Sequence, residues 1–164
     1  MLVSGYYFPT ARLDVPMLSA PALPLFGDVM RYTVSPIVGR MATPLMTRAI
    51  FAPMPVPDRF DAFPVELSLR PSQIRATAAD TALMVPGAVS LSARFDELAM
   101  PIEIVAGDGD QIVGFEGQSQ RLADRIAGAA LHKIEGAGHM AHYAAPEEVR
   151  AAVDRAANRA GAPE

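Results

Sequence analysis

The sequence predicts an α/β protein of about three parallel strands with flanking helices and an inserted, mostly helical segment. Three observations predict it. In the C-terminal third, the short β-branched apolar run "PIEIVAG" and a second strand, "ALHKIEG", alternate with amphipathic helical patterns. Upstream of them, twelve of the 15 prolines lie between Pro9 and Pro86, a region without strand-like alternation. The chain opens on "MLVSG", which reads as a buried strand already in progress at the first residue.

The 164 residues suffice for one domain with a real core, and half of them are hydrophobic, which argues against disorder. The net charge of −4, with 14 scattered Lys and Arg, offers no basic face for nucleic acid or anionic lipid. Without cysteine there is no disulfide, thiolate nucleophile or Cys-based metal site. No apolar run approaches the roughly 18 residues of a spanning helix. The start has neither a basic n-region nor an apolar h-region, so a cytoplasmic location is expected.

The elements follow in order. In the proline-rich region, "ALPLFGDVMRYTV", "SPIVGRMATPLMTRAIF" and "PDRFDAFPVELSL" read as short helices broken by turns. "PSQIRATAADTALMV" is a better helix, with Pro71 in its first turn and Ile74, Ala78, Ala82 and Val85 at helical spacing. Seven of the nine methionines fall between Met17 and Met100, where they either fill an irregular core or line an apolar cavity. After the strand "PIEIVAG", "FEGQSQRLADRIAG" is a helix with Leu122, Ala123, Ile126 and Ala127 on one side and Gly128 as its stop. "ALHKIEG" is the next strand. "PEEVRAAVDRAANRA" is the last helix, with Val149, Ala152, Val153, Ala156 and Ala157 as its buried stripe. Strand–helix–strand–helix with short links implies parallel strands joined by right-handed crossovers.

Functional groups in parallel α/β sheets collect beyond the carboxyl ends of the strands. Two polar clusters land there: "GDGDQIV", with Asp108 and Asp110, and "GAGHMAH", with His139 and His142. A carboxylate beside an imidazole holds one tautomer and stabilises the imidazolium formed when histidine takes a proton. Asp108 reads as a turn residue and His132 as a structural histidine in a strand. A metal pair of His139 and His142 lacks a third ligand, and the "DGD" of a calcium loop lacks its ligand run. Gly107 and Gly109 match two glycines of a dinucleotide loop, but Ile112 occupies the third position. No cofactor or metal is expected.

Over residues 101–150 the sequence "PIEIVAGDGDQIV … ALHKIEGAGHMAHYAAPEEV" resembles the C-terminal end of an α/β-hydrolase-fold enzyme. In that family a G-x-x-D-x-x-V turn carries the triad acid and a G-x-G-H turn the triad histidine. The resemblance assigns Asp110 to the first role, with Gly107 and Val113 in register, and His139 to the second, through Gly136 and Gly138. It implies three regions: 1–13, strand and loop of the hydrolase core; 14–99, a helical cap over the active site; 100–160, the C-terminal part of the core. It further implies a hydrolase acting on a small hydrophobic substrate of ester or epoxide type. The family's nucleophile sits in a G-x-S-x-G elbow. None of the eight serines has that context; Ser119 follows Gly117 but precedes Arg121. The expectation is therefore a part of a hydrolase holding acid and base without nucleophile, inactive alone, whose partner is the missing N-terminal half or a second copy. The alternative is a non-catalytic binding module that uses the cap cavity.

Overall fold

The computed structural model describes residues 1–161. All three expected strands form: β1 (Leu2–Val3), β2 (Glu103–Gly107) and β3 (Ala130–Ile134). They build one parallel sheet in the order β1-β2-β3, with Leu2 opposite Ile104 and Val105 opposite His132. Every residue of β2 is buried, as suits a central parallel strand. β1 differs from the expected buried strand. It has only two residues, both half-buried, because among the described residues it is paired on one side alone.

Between β1 and β2 lies the helical segment: α1 (Val15–Ser19), α2 (Phe26–Tyr32), α3 (Val34–Phe51), α4 (Val65–Ser68) and α5 (Pro71–Ser92). α3 runs 18 residues over the piece expected at 35–51, longer than a short helix, and α5 runs 22, extending past Pro86 the better helix expected at 71–85. The prolines interrupt less than their number implies. Pro36 and Pro71 sit in first turns, where the missing N–H has no intrahelical partner to lose. Only Pro44 and Pro86 are interior, and each removes one bond from a ladder long enough to continue past it. α1 and α2 pack on α5, and α2 on α3. Few large side chains are buried there. Leu25, Ile37, Met41 and Leu45 are exposed, so Met17, Met41 and Met46 neither fill a core nor line a cavity.

The two faces of β2 are filled differently. Ile102 and Ile104 pack with Tyr7, Phe8, Leu122 and Ile126, which form the apolar core. Leu122 comes from α6 (Arg121–Arg125), which follows a π-helical turn, Glu116–Gln120. The helix expected over this stretch is thus widened at its start and stops early. The wide turn buries Gln118 and Ser119. Gln118 Oε1 accepts the backbone N–H groups of Tyr7 and Phe8, both at 2.7 Å, and its Nε2 donates to the Phe8 carbonyl at 2.8 Å. That amide satisfies the chain leaving β1, where no ladder can. After α6 the chain is extended at Ile126, which leaves Ala127 exposed, and Gly128 takes the left-handed φ of +79°.

The opposite face meets α8 (Pro146–Gly161), reached through α7 (Ala141–Ala144). Its stripe is not the apolar one expected. Ala152 is buried, Val149 and Ala156 are half-buried, and Val153 and Ala157 are exposed. The reason is Glu103, on this face of β2 and 1 % exposed. Its carboxylate accepts from Arg159 at 2.8 Å and lies 2.5 Å from His132 Nε2 and 3.5 Å from Arg155 Nε. α8 therefore turns its arginine side toward the sheet to compensate a buried charge. Burial alone pushes the Glu103 carboxyl up, but the bonds and charges of His132 and Arg159 outweigh it and hold the group below its ordinary range. No helix among the described residues is long and apolar enough to cross a membrane.

Two predictions follow from the two faces of the sheet and its edge. Arg159→Ala removes a charge-assisted bond to Glu103 and should cost about 1–3 kcal/mol in urea denaturation. Because the folded Glu103 value is lowered, its contribution is present above the unfolded carboxylate value and is lost as pH falls through the folded one. The variant should accordingly show a shallower loss of stability on acidification, and equal slopes would remove Glu103 from the account. The edge of β1 that has no partner among the described residues, with the exposed apolar residues of α3, should make the chain self-associate at micromolar concentration. Size-exclusion chromatography with light scattering reads this, and a monodisperse monomer would contradict it.

Candidate active site

β2 and β3 end side by side, and their exits touch. A Cβ on Gly107 would run into the backbone carbonyls of Ala137 and Gly138, so only glycine lets the two turns approach. Three bonds tie them: Asp108 N–H to the Ile134 carbonyl at 3.2 Å, Gly109 N–H to the Ala137 carbonyl at 3.0 Å, and Gly136 N–H to Asp108 Oδ1 at 2.7 Å. Asp108 thus does more than favour a turn: its side chain crosses to the histidine turn, where Gly136 holds a φ of +66°.

This brings Asp110 and His139 together. Asp110 Oδ2 lies 2.9 Å from His139 Nδ1. Asp110 Oδ1 accepts the N–H groups of Ile112 at 2.8 Å and Val113 at 2.9 Å. The carboxylate is 2 % exposed and the imidazole 26 %. A carboxylate with three donors on it has one orientation, and it holds the ring in the Nδ1–H tautomer. His142 stands apart from this pair. Its ring lies 5.0 Å from Tyr143, and burial, followed by repulsion from the neighbouring His139 and Arg59 groups, lowers its affinity for a proton. Among the described residues no three His, Asp or Glu gather as metal ligands. Ser119 is buried in the π-helical turn. Ser4, at the carboxyl end of β1, is buried with a left-handed φ of 44°.

The histidine turn is also held from the helical segment. Met140 N–H donates to the Ile50 carbonyl at 3.2 Å, at the end of α3. Gly138 lies so close to the carbonyls of Phe51 and Ala52 that it has no room for a Cβ. Arg59 donates to the Tyr143 carbonyl and sits 4.8 Å from that ring's centroid. Phe51, Phe60 and Tyr143 pack edge to face at 5.0–5.6 Å. Between these parts is a small apolar pocket lined by Phe51, Met54, Pro57, Met140, Tyr143 and Ala144. Sequence reading missed Gln118, Arg59 and the cross-turn role of Asp108. Each acts on a residue far along the chain, and no local pattern marks it.

No protein-family model matches this sequence, and no curated protein matches it by sequence. Solved structures do match. An α/β-hydrolase-fold protein from Burkholderia ambifaria superposes with a TM-score of 0.66 at 24 % identity, over 88 % of this chain and 51 % of that one. A thermophilic esterase from Thermogutta terrifontis gives 0.66 at 18 % identity, over 98 % and 56 %. A bromoperoxidase from Bacillus anthracis gives 0.61 at 18 %, over 94 % and 55 %. The chain has a partial α/β-hydrolase fold, consistent with the C-terminal portion of that fold. It spans about half the length of these proteins.

A further glycine tests the contact between the helical segment and the histidine turn. Gly138→Ala should destabilise the protein by about 1–3 kcal/mol through overpacking, because the obstructing atoms are backbone carbonyls of Phe51 and Ala52. An unchanged urea midpoint would mean that the segment does not rest on this turn in solution.

Proposed function

We propose that Asp110 and His139 are the acid and base of an acyl-transfer site whose nucleophile lies outside these 164 residues. The observation that supports this reading best is the 2.9 Å contact of Asp110 Oδ2 with His139 Nδ1, with Oδ1 held by two backbone donors. With Nδ1 engaged, Nε2 is the nitrogen left for a reacting group. It takes the proton of a nucleophile hydroxyl as that oxygen bonds to an ester carbonyl carbon, and Asp110 stabilises the imidazolium. The imidazolium returns the proton to the departing alkoxide. A water, deprotonated in the same way, then releases the acid and restores the nucleophile. For an epoxide the nucleophile is a carboxylate, and His139 serves only the water step. Residues 14–99 act as a cap, 1–13 and 100–160 as the hydrolase core, and the apolar pocket beside the histidine turn favours a small hydrophobic substrate.

The test needs the chain alone and the chain joined to, or mixed with, a nucleophile-bearing N-terminal segment encoded by the reading frame upstream. Alone it should not hydrolyse activated esters, since acid and base cannot replace the nucleophile they serve. In the completed protein, Asp110→Asn and His139→Ala should each lower kcat by about 10⁴. Asp108→Asn keeps an acceptor for the Gly136 N–H, and Asp108→Asn and His142→Ala should each cost far less. Turnover by the chain alone that vanishes in His139→Ala would place the nucleophile within these residues. An equal loss at Asp108 would mean that the acid is misassigned. A completed protein that binds an apolar ester without turnover would instead support a binding module.

A further inference from the structure

We infer that Arg12 is a positioning residue for Asp110, acting through the peptide that joins Ile112 to Val113. The inference rests on the reading of Asp110 and His139 given above. Arg12 lies in the segment between β1 and α1, a hundred residues from the acid turn in sequence. Its Nη1 donates to the Ile112 carbonyl at 3.0 Å. The other side of the guanidinium makes a fork to Asp14, with Nε to Oδ1 at 3.0 Å and Nη2 to Oδ2 at 2.7 Å. The fork fixes the plane of the guanidinium and so the direction of the third N–H. The bond to Arg12 holds the Asp14 carboxyl below its usual range, as a formed pair requires.

The Ile112 carbonyl and the Val113 N–H belong to one planar peptide unit. Arg12 pulls on its oxygen, and Val113 N–H donates from its other side to Asp110 Oδ1 at 2.9 Å. A cation on the carbonyl both fixes the peptide plane and polarises the N–H, strengthening the bond to Asp110. Ile112 and Val113 are only half-buried, so without Arg12 water competes for that carbonyl and the peptide can turn. The chain of contacts runs Arg12, peptide 112–113, Asp110, His139. Asp14 stands immediately before α1, so the brace joins the start of the helical segment to the acid turn.

The readout is the tautomer of His139 in the intact chain, followed by ¹⁵N imidazole shifts after labelling histidine. There are three histidines, so the signals separate by His132→Gln and His142→Gln. Native His139 should show the Nδ1–H tautomer alone. Free imidazole prefers Nε2–H, so Arg12→Ala should move the His139 shifts toward a mixture while leaving those of His132 in place. Asp14→Asn should move them the same way and less. Arg12→Lys, which keeps one donor and the charge but not the fork, should recover part of the native signal. Should Arg12→Ala fail to fold, Asp14→Asn and Arg12→Lys carry the test. Asp110→Asn separates the two readings. If it shifts His139 and the Arg12 and Asp14 variants do not, the brace is refuted and the pair stands. If Asp110→Asn leaves His139 unchanged, the pair itself is refuted.

Discussion

The close passage of backbone over backbone at the ends of β2 and β3 is the constraint on which the rest of the site depends. Gly107 lies beneath the carbonyls of Ala137 and Gly138, and Gly138 beneath those of Phe51 and Ala52. Three layers of main chain stack there with no side chain between them: strand exit, histidine turn and the end of α3. Main-chain contacts are short and stiff, and their donors and acceptors are satisfied across the layers by Gly109 N–H to Ala137 and Met140 N–H to Ile50. Asp110 and His139 are attached to the first two layers, so their separation is set by backbone packing. Side-chain rotamers have only to complete it.

Glu103 shows a different economy. A glutamate in the centre of a parallel sheet would be an error of patterning if it stood alone. Its neighbours convert it into an anchor: His132 reaches it from the adjacent strand, Arg155 and Arg159 from α8. An ion cluster of this kind contributes little net stability beside an apolar packing of equal volume. What it supplies is register. Helix α8 can slide along an alanine stripe with small loss, but it cannot slide without stranding a buried carboxylate. α8 follows α7 and the histidine turn, so fixing α8 from below also limits that turn.

The strands and the order of their polar turns were legible in the sequence because they are local or periodic, whereas the choice of Asp110 and His139 within those turns came from the family resemblance. A β-branched run ending in glycine needs no distant partner to be recognised, and 29 residues hold one helix and one strand. The misreadings share a cause, which is that the deciding partner was remote. The helix after Phe115 widens because Gln118 must reach Tyr7 and Phe8, about 110 residues away. The stripe of α8 is arginine-rich because Glu103, 56 residues upstream of Arg159, lies under it. Proline count overstated the breaks in α3 and α5, since position within a helix decides what a proline costs.

The helical segment touches the pair from two independent directions. The end of α3, through Ile50, Phe51 and Ala52, rests on the histidine turn, and Arg12, just before α1, holds the turn that carries Asp110. A segment held just before α1 and again at the end of α3 to the two halves of one hydrogen-bonded pair cannot shift as a body without loading that bond. If only α3 moved, His139 would be drawn from Asp110. If only the Arg12 end moved, the 112–113 peptide would rotate and Asp110 would lose a donor. A movement that spares the pair must therefore arise away from these two attachments, among α1, α2 and α5. There the helices pack mainly on one another, and their exposed apolar residues leave contacts still to be made.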